Sequence, residues 1–159
     1  MNIRILSVGK LKERYWKEAL SEYEKRLGRY CKLEVMEVED EAAPEQASPR
    51  EEEQIKTREG ERLLSKIPKE AHVIALEIRG REQDSETMAR QIAELGIKGK
   101  SHLCFVIGGS LGLSRAVLDR ADEKWSFSRL TFPHQMMRVI LLEQLYRSFR
   151  IIRGEPYHK

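Results

Sequence analysis

Three glycines, Gly108, Gly109 and Gly112 in the string GGSLG, follow directly on the apolar run HLCFVI at His102–Ile107. Glycine lets backbone approach a ligand closely and adopt dihedrals closed to other residues, so such a cluster is either a tight turn or a cradle for a cofactor. The string is not GxGxxG, and it lacks the Lys-Ser/Thr pair of a phosphate loop. Two other segments have the same relation to an apolar run. EIRGRE follows AHVIAL (71–76), and SRLTFPHQ follows KWSF (124–127). In open parallel sheets ligands gather beyond the carboxyl ends of the strands, which makes these three segments the candidate site.

Other chemistry is sparse. Cys31 and Cys104 are 73 positions apart, without the paired spacing of a disulfide framework or zinc knuckle. Cys104 sits inside an apolar run, where a thiol is inert packing. His72, His102, His134 and His158 never fall in a metal-ligand spacing such as HxxxH, and carboxylates cluster only in one loose acidic insert. A Ser or Cys hydrolase, a metalloenzyme and a glycosidase are therefore disfavoured, and no metal is expected. What survives is chemistry that needs positioning rather than an exotic group. Methyl transfer from a sulfonium to nitrogen is one such reaction, since the cofactor brings the electrophile and the protein aligns the nucleophile. The same residues also permit a noncatalytic binding or assembly factor, or a nucleotide-binding sensor.

The elements that must position these loops are legible from periodicity. Asn2–Val8 (NIRILSV) and 32–39 (KLEVMEVE) alternate as strands, and 71–76, His102–Ile107 and 124–127 are short apolar strand runs. Between them, Trp16, Leu20, Tyr23, Leu27 and Tyr30 repeat at helical steps toward a stop near Gly28. Residues 40–49 read as a surface loop and 50–66 as a helix, expected to be the most exposed. Asp84 or Ser85 caps a helix through Leu95 that stops at Gly96, and Ser114 caps another over 115–121. Pro133 opens the last helix, which runs to Gly154. Strand and helix alternate, so the class is α/β, with a mainly parallel sheet and helices on both faces.

The last helix carries a stripe of Met137, Ile140, Leu141, Leu145, Phe149 and Ile152, widened by Met136, Val139, Leu142 and Tyr146. A helix apolar around most of its circumference is buried on two sides, and in a chain of 159 residues the second side points to a twofold homodimer. Hydrophobic residues make up 40% of the chain and suit a single globular domain over 1–159. No signal peptide or membrane span is expected, and a reducing cytoplasm fits. The net charge is only +3, but residues 37–62 hold 4 bases against 10 acids, so the remainder carries +9, concentrated toward the two ends. Such an excess is a phosphate-binding footprint or the solvated face of ordinary helices.

The strings FVIGGSLGLS (105–114), SFSRLTFPHQMMRVILLEQLYRSF (126–149) and PYHK (156–159) occur in that order in a chain beginning MNIRILSVGK. Together they resemble the ribosomal large-subunit methyltransferase H family of the SPOUT superfamily over nearly the whole chain. Phe132 and Met136-Met137 stand where Leu or Val is common, and the loop over 40–49 matches poorly. The resemblance implies a homodimeric α/β domain whose C-terminal part forms a deep trefoil knot. It implies that Leu76, Gly108, Phe127, Ser128, Arg129, Leu130, Thr131 and Phe132 bind S-adenosylmethionine. It implies methylation of N3 of a pseudouridine in 23S rRNA on the assembled ribosome, with Tyr157 and His158 orienting the base and His158 or water accepting the N3 proton. Arg129, Arg138, Arg147, Arg150 and Arg153 become candidates for rRNA phosphate contacts, although Arg138, inside the apolar helix, fits an intersubunit ion pair equally well. The acidic stretch 37–61 is then expected to face away from the cofactor loops and the ribosome.

Overall fold

A computed structural model describes residues 1–159. The alternating and continuous apolar runs form five strands: β1 (Asn2–Val8), β2 (Lys32–Val38), β3 (His72–Glu82), β4 (His102–Ile107) and β5 (Glu123–Ser126). They assemble in the order β2-β1-β4-β3-β5, and each neighbouring pair is parallel. Parallel neighbours cannot be joined by tight turns, and the crossovers are supplied by α1 (Arg14–Leu27), α2 (Pro49–Lys66), α3 (Ser85–Ile97) and α4 (Arg115–Arg120), with α5 (His134–Ile152) closing the chain.

Alternation along the central strands divides the core. Ile3, Ile5, Leu103 and Phe105 pack with Leu20 and Leu27 of α1, Met88 and Ile92 of α3, and Leu141, Leu142 and Leu145 of α5. Leu6, Val8, Val73, Ala75 and Val106 pack on the other face with Leu63 of α2 and Val117 of α4. Helices thus cover both faces, as the strand pattern requires. No helix is long and apolar enough to cross a membrane.

Local capping explains where several helices begin. Ser48 and Glu51 form a reciprocal capping box with Pro49 in the first turn, so α2 starts one residue before Arg50. Asp84 accepts from the Thr87 N–H at 2.7 Å, and Ser114 accepts from Val117 at 3.3 Å. At the other end of α3 the expected stop at Gly96 is wrong. The helix continues to Ile97, and the residue with positive φ (+79°) is Gly99, where the Lys100 N–H bonds back to the Leu95 carbonyl. Nor is α2 the most exposed helix: it buries Ile55, Glu59, Gly60 and Leu63, whereas α1 buries only Leu20 and Leu27.

The larger correction concerns EIRGRE, expected as a loop after Leu76. It is a continuation of β3 that keeps pairing with β5, after a register shift between Leu76 and Arg81. Arg79, Arg81 and Glu82 are exposed there, so no apolar run marks it. Gly80 is what permits the irregularity, since a Cβ there would stand 2.7 Å from the Lys124 carbonyl carbon and oxygen. Gly80→Ala must push two paired backbones apart and is expected to cost about 1–3 kcal/mol in urea unfolding.

Candidate functional site

Strand register sets the geometry of the candidate site. β4 pairs with β3 up to Ala75–Val106, and β3 pairs with β5 at Leu76–Trp125. Gly108 and Phe127 therefore follow the ends of β4 and β5 at nearly the level of Leu76, which lies within β3, a strand that runs on to Glu82. Gly108 admits no side chain, because a Cβ would stand 2.8 Å from the Gly112 carbonyl carbon and 3.1 Å from the Leu113 nitrogen. The turn is closed by a bridge between Gly109 and Gly112, and Gly112 takes a φ of +89°.

After β5 the chain turns tightly over residues 127–132. Ser126 Oγ donates to the Ser128 carbonyl at 3.0 Å, and Ser128 Oγ accepts from the Leu130 N–H at 2.9 Å. Arg129 pairs with Glu82 at 3.0 Å on the surface, Leu130 and Thr131 are exposed, and Phe132 is half-buried. Phe127 separates two clefts. One, of about 160 Å³, runs between α3 and α5 past Ser85, Met88, Ile140 and Gln144, and the other, of about 370 Å³, runs along Glu82, Ser126, Ser128 and Arg129. Gln83 lines both, and its Oε1 is buried with no hydrogen-bond partner. That free acceptor suits an amino or ring N–H donor of a bound ligand. Nothing in the sequence singled out Gln83, which falls between the EIRGRE segment and the Asp84 cap, or Gln144, which lies within the last helix.

A second set of polar groups lies at the carboxyl ends of β1 and β2. Arg138 is 0% exposed; its guanidinium donates to Glu37 at 2.6 Å and to the carbonyls of Val8 and Gly9 at 2.9 and 2.7 Å. Glu37 also accepts the Leu11 N–H at 2.9 Å. This overturns both expectations for Arg138: it is out of reach of RNA phosphate, and its carboxylate partner is in its own chain. One turn earlier, His134 packs over Gly9, where a Cβ would stand 3.5 Å from its Cε1. Burial, and then the Arg138 charge, lower the His134 pKa, so the ring is neutral at neutral pH. Its Nδ1 is buried without a partner.

The acidic stretch does not lie wholly apart from the glycine turn. Glu59 is 4% exposed and its carboxylate lies 3.3 Å from where a Gly109 Cβ would be. The expectation that 37–61 faces away from the cofactor loops therefore fails at Glu59. A signal for Glu59 was present in the sequence: Gly60 interrupts a helix, where glycine costs about 1 kcal/mol unless close packing requires it.

The tail is ordered against its own chain. The Tyr157 hydroxyl donates to Glu143 at 3.0 Å, its ring meets Tyr146 edge-on at 4.9 Å, and Arg147 stacks over it at 4.7 Å. His158 Nδ1 lies 3.2 Å from an Arg147 nitrogen, and its Nε2 is 3.8 Å from Glu86 in the first turn of α3. Tyr157 and His158 thus reach the α3–α5 edge next to the smaller cleft. Arg147 pairs with Glu143, Arg150 pairs with Glu155 and bonds the Pro156 carbonyl, and Arg153 stacks on Tyr30. Cys104 is fully buried, its thiol pushed up to about 12 by burial. No three His, Cys, Asp or Glu side chains are grouped to hold a metal ion.

A family model described as "Predicted SPOUT methyltransferase" matches residues 1–158. A protein of Bacillus pumilus named ribosomal RNA large subunit methyltransferase H is 60% identical over 159 residues, spanning 100% of both chains. A protein of the same name from Clostridioides difficile is 57% identical, again over 100% of both. Among solved structures, a probable methylase family protein from Haemophilus influenzae superposes with a TM-score of 0.57 at 12% identity, covering 99% of this chain and 70% of that one. This last likeness is one of fold.

Removing the guanidinium strands Glu37 and two backbone carbonyls, so Arg138→Met is expected to cost about 3 kcal/mol in urea unfolding. For Tyr157, burial first and the Glu143 bond second raise the phenol from 10.0 to about 12. Because the folded pKa is the higher, the tail contact is fully present below about pH 10 and is lost as pH rises through about 12. Phenolate absorbance should show one late-titrating tyrosine, absent in Tyr157→Phe.

Proposed function

The chain belongs to the SPOUT methyltransferase family, and we propose that it transfers the methyl group of S-adenosylmethionine to N3 of a pseudouridine in 23S rRNA of the assembled ribosome. The observation that carries this reading is the placement of Leu76 within β3, the Gly108 turn after β4 and residues 127–132 after β5 at nearly one level of three adjacent parallel strands. When bound, the cofactor supplies a methyl on a positively charged sulfur. The residues present fit such a group. The turn that excludes a Cβ at Gly108 offers backbone rather than side chain, Leu76 and Phe127 give apolar walls, and Gln83 Oε1 is free to accept from an amino group. Ser128, Arg129, Leu130, Thr131 and Phe132 continue the binding loop.

Tyr157 and His158 orient the acceptor base. Their docking beside α3 keeps the tail close to the cleft without a large ordering cost on binding. For His158 to take the N3 proton it must first leave Arg147, which faces its Nδ1; otherwise water receives it. Met136, Met137, Val139 and Ile140 are left half-buried by their own chain, and a twofold copy covering α5 would bury them. Threading of the C-terminal part as a deep trefoil knot accords with a β5 that pairs beyond β3 and not beside β4. We place this activity in a single domain over 1–159, acting in the cytoplasm.

Labelled S-adenosylmethionine incubated with separate subunits and with whole ribosomes tests the reading: methyl incorporation is expected in 23S rRNA of whole ribosomes. A chain that binds ribosomes, shows no saturable cofactor binding in calorimetry and transfers no label is instead a noncatalytic assembly factor. His158→Ala should lower turnover by on the order of 10²-fold with cofactor binding intact, whereas turnover unchanged from about pH 6 to about pH 9 removes His158 from the reaction.

A further inference from the structure

The methyltransferase reading leaves one buried charge without a task. Glu59 belongs to a helix whose outer residues are mostly charged, yet it is 4% exposed. Its Oε2 accepts the Glu41 N–H at 3.0 Å, and no basic side chain pairs with it. Arg62, one turn on, is turned to Glu41, and so is Arg58 at 4.0 Å. Burial raises the Glu59 pKa, and Asp40 and Glu41 add to the rise. The Glu41 N–H and Arg62 oppose it without cancelling it. A carboxylate held dry and unpaired is destabilising, and proteins retain such groups chiefly where a ligand or reaction uses them.

Its position puts it against the glycine turn. The two carboxylate oxygens stand 3.3 and 3.5 Å from where a Cβ of Gly109 would be, and Val8 closes the same space at 3.2 Å. The next residue, Gly60, brings α2 directly against the far end of the turn, since a Cβ there would stand 2.2 Å from Ser114 Oγ. Helix α2 is thus mounted on the glycine turn, with its one buried carboxylate against it. We propose that Glu59 is the counter-charge for the cationic sulfonium end of the bound cofactor and sets the preference of the site for S-adenosylmethionine over the neutral-sulfur product, S-adenosylhomocysteine. This inference rests on the methyltransferase reading. Transfer moves the methyl to the acceptor nitrogen, leaves the electron pair of the broken bond on sulfur and so removes the charge that Glu59 faces. The product is then held by the remaining contacts alone, which favours its exchange for fresh cofactor.

The test separates charge from scaffolding. Glu59→Gln keeps the volume and the acceptor for the Glu41 N–H but removes the charge. Calorimetric titration should show affinity for S-adenosylmethionine falling about tenfold, since desolvation of both charges offsets most of their direct attraction, with S-adenosylhomocysteine within about twofold of wild type. Gly60→Ala, which displaces Ser114 and the turn without touching charge, should weaken both ligands alike. Should Glu59→Gln fail to fold, Glu59→Asp keeps the charge but withdraws it by one methylene, and its ratio of the two affinities should fall below that of wild type. Equal losses for both ligands in Glu59→Gln and Glu59→Asp, or no loss for either, overturn the role of Glu59 while leaving the function standing. A wild-type chain that binds neither ligand overturns the methyltransferase reading itself, and the inference with it.

Discussion

Arg138 ties the last helix to the ends of the first two strands. The first three elements and the last helix are far apart in sequence, and apolar packing alone would let α5 slide along its own axis. A fully buried guanidinium bound to Glu37, the Val8 carbonyl and the Gly9 carbonyl fixes that register in three directions at once. The planar fork of arginine suits this role, and a lysine could not serve two carbonyls and a carboxylate in one plane. Burial lowers the pKa of the guanidinium while Glu37 draws it up, yet a group of this basicity stays charged, so the clamp holds at any physiological pH. The start of α5, and with it the 127–132 loop that precedes it, is therefore positioned by an ionic contact on the far side of the sheet.

Absent side chains complete that positioning. Gly108 lets its turn fold onto Gly112, Gly60 lets α2 reach Ser114, and Gly80 lets β3 stay paired with β5 past the end of the core. At each place the obstacle to a methyl group is backbone or a short side chain, which cannot yield as a long flexible one does. The site is consequently held from three sides by contacts below ordinary side-chain spacing. This accords with a reaction in which alignment supplies most of the rate.

What could be read from the sequence follows from which interactions leave a local pattern. Strands β1 and β4 and the apolar face of α5 were legible because they are buried, and burial imposes a period. The Gly108 turn and the segment after Phe127 were legible together because parallel topology puts the ends of β4 and β5 at one end of the sheet. The EIRGRE segment leaves no strand pattern because its pairing with the edge strand β5 is made by exposed charged residues, and Gly96 is not the stop of α3 because the positive φ falls at Gly99. Arg138 looked like a surface or interface group because its partner, Glu37, lies 101 positions away in the chain and no period links them. Gln83 was invisible for the same reason: its significance lies in what it fails to pair with, a property only the folded chain has, whereas Glu59 left a local sign only in the glycine that follows it.

The modest net charge of +3 acquires a different meaning from this arrangement. Of the seven bases over 124–159, Arg129, Arg138, Arg147 and Arg150 already hold carboxylates of their own chain, leaving Lys124, Arg153 and Lys159 without one. The positive excess at the C-terminal end is thus not all available to a polyanion. These pairs differ in how readily they can be given up. Arg129 and Glu82 are 90% and 68% exposed, so water and salt already screen them, and an RNA phosphate can take over the arginine with little net loss. Arg138 can be given up only by unseating α5. The arginines therefore divide by burial into those that a polyanion can recruit and one that keeps the site in register, a division that charge counting along the chain cannot make.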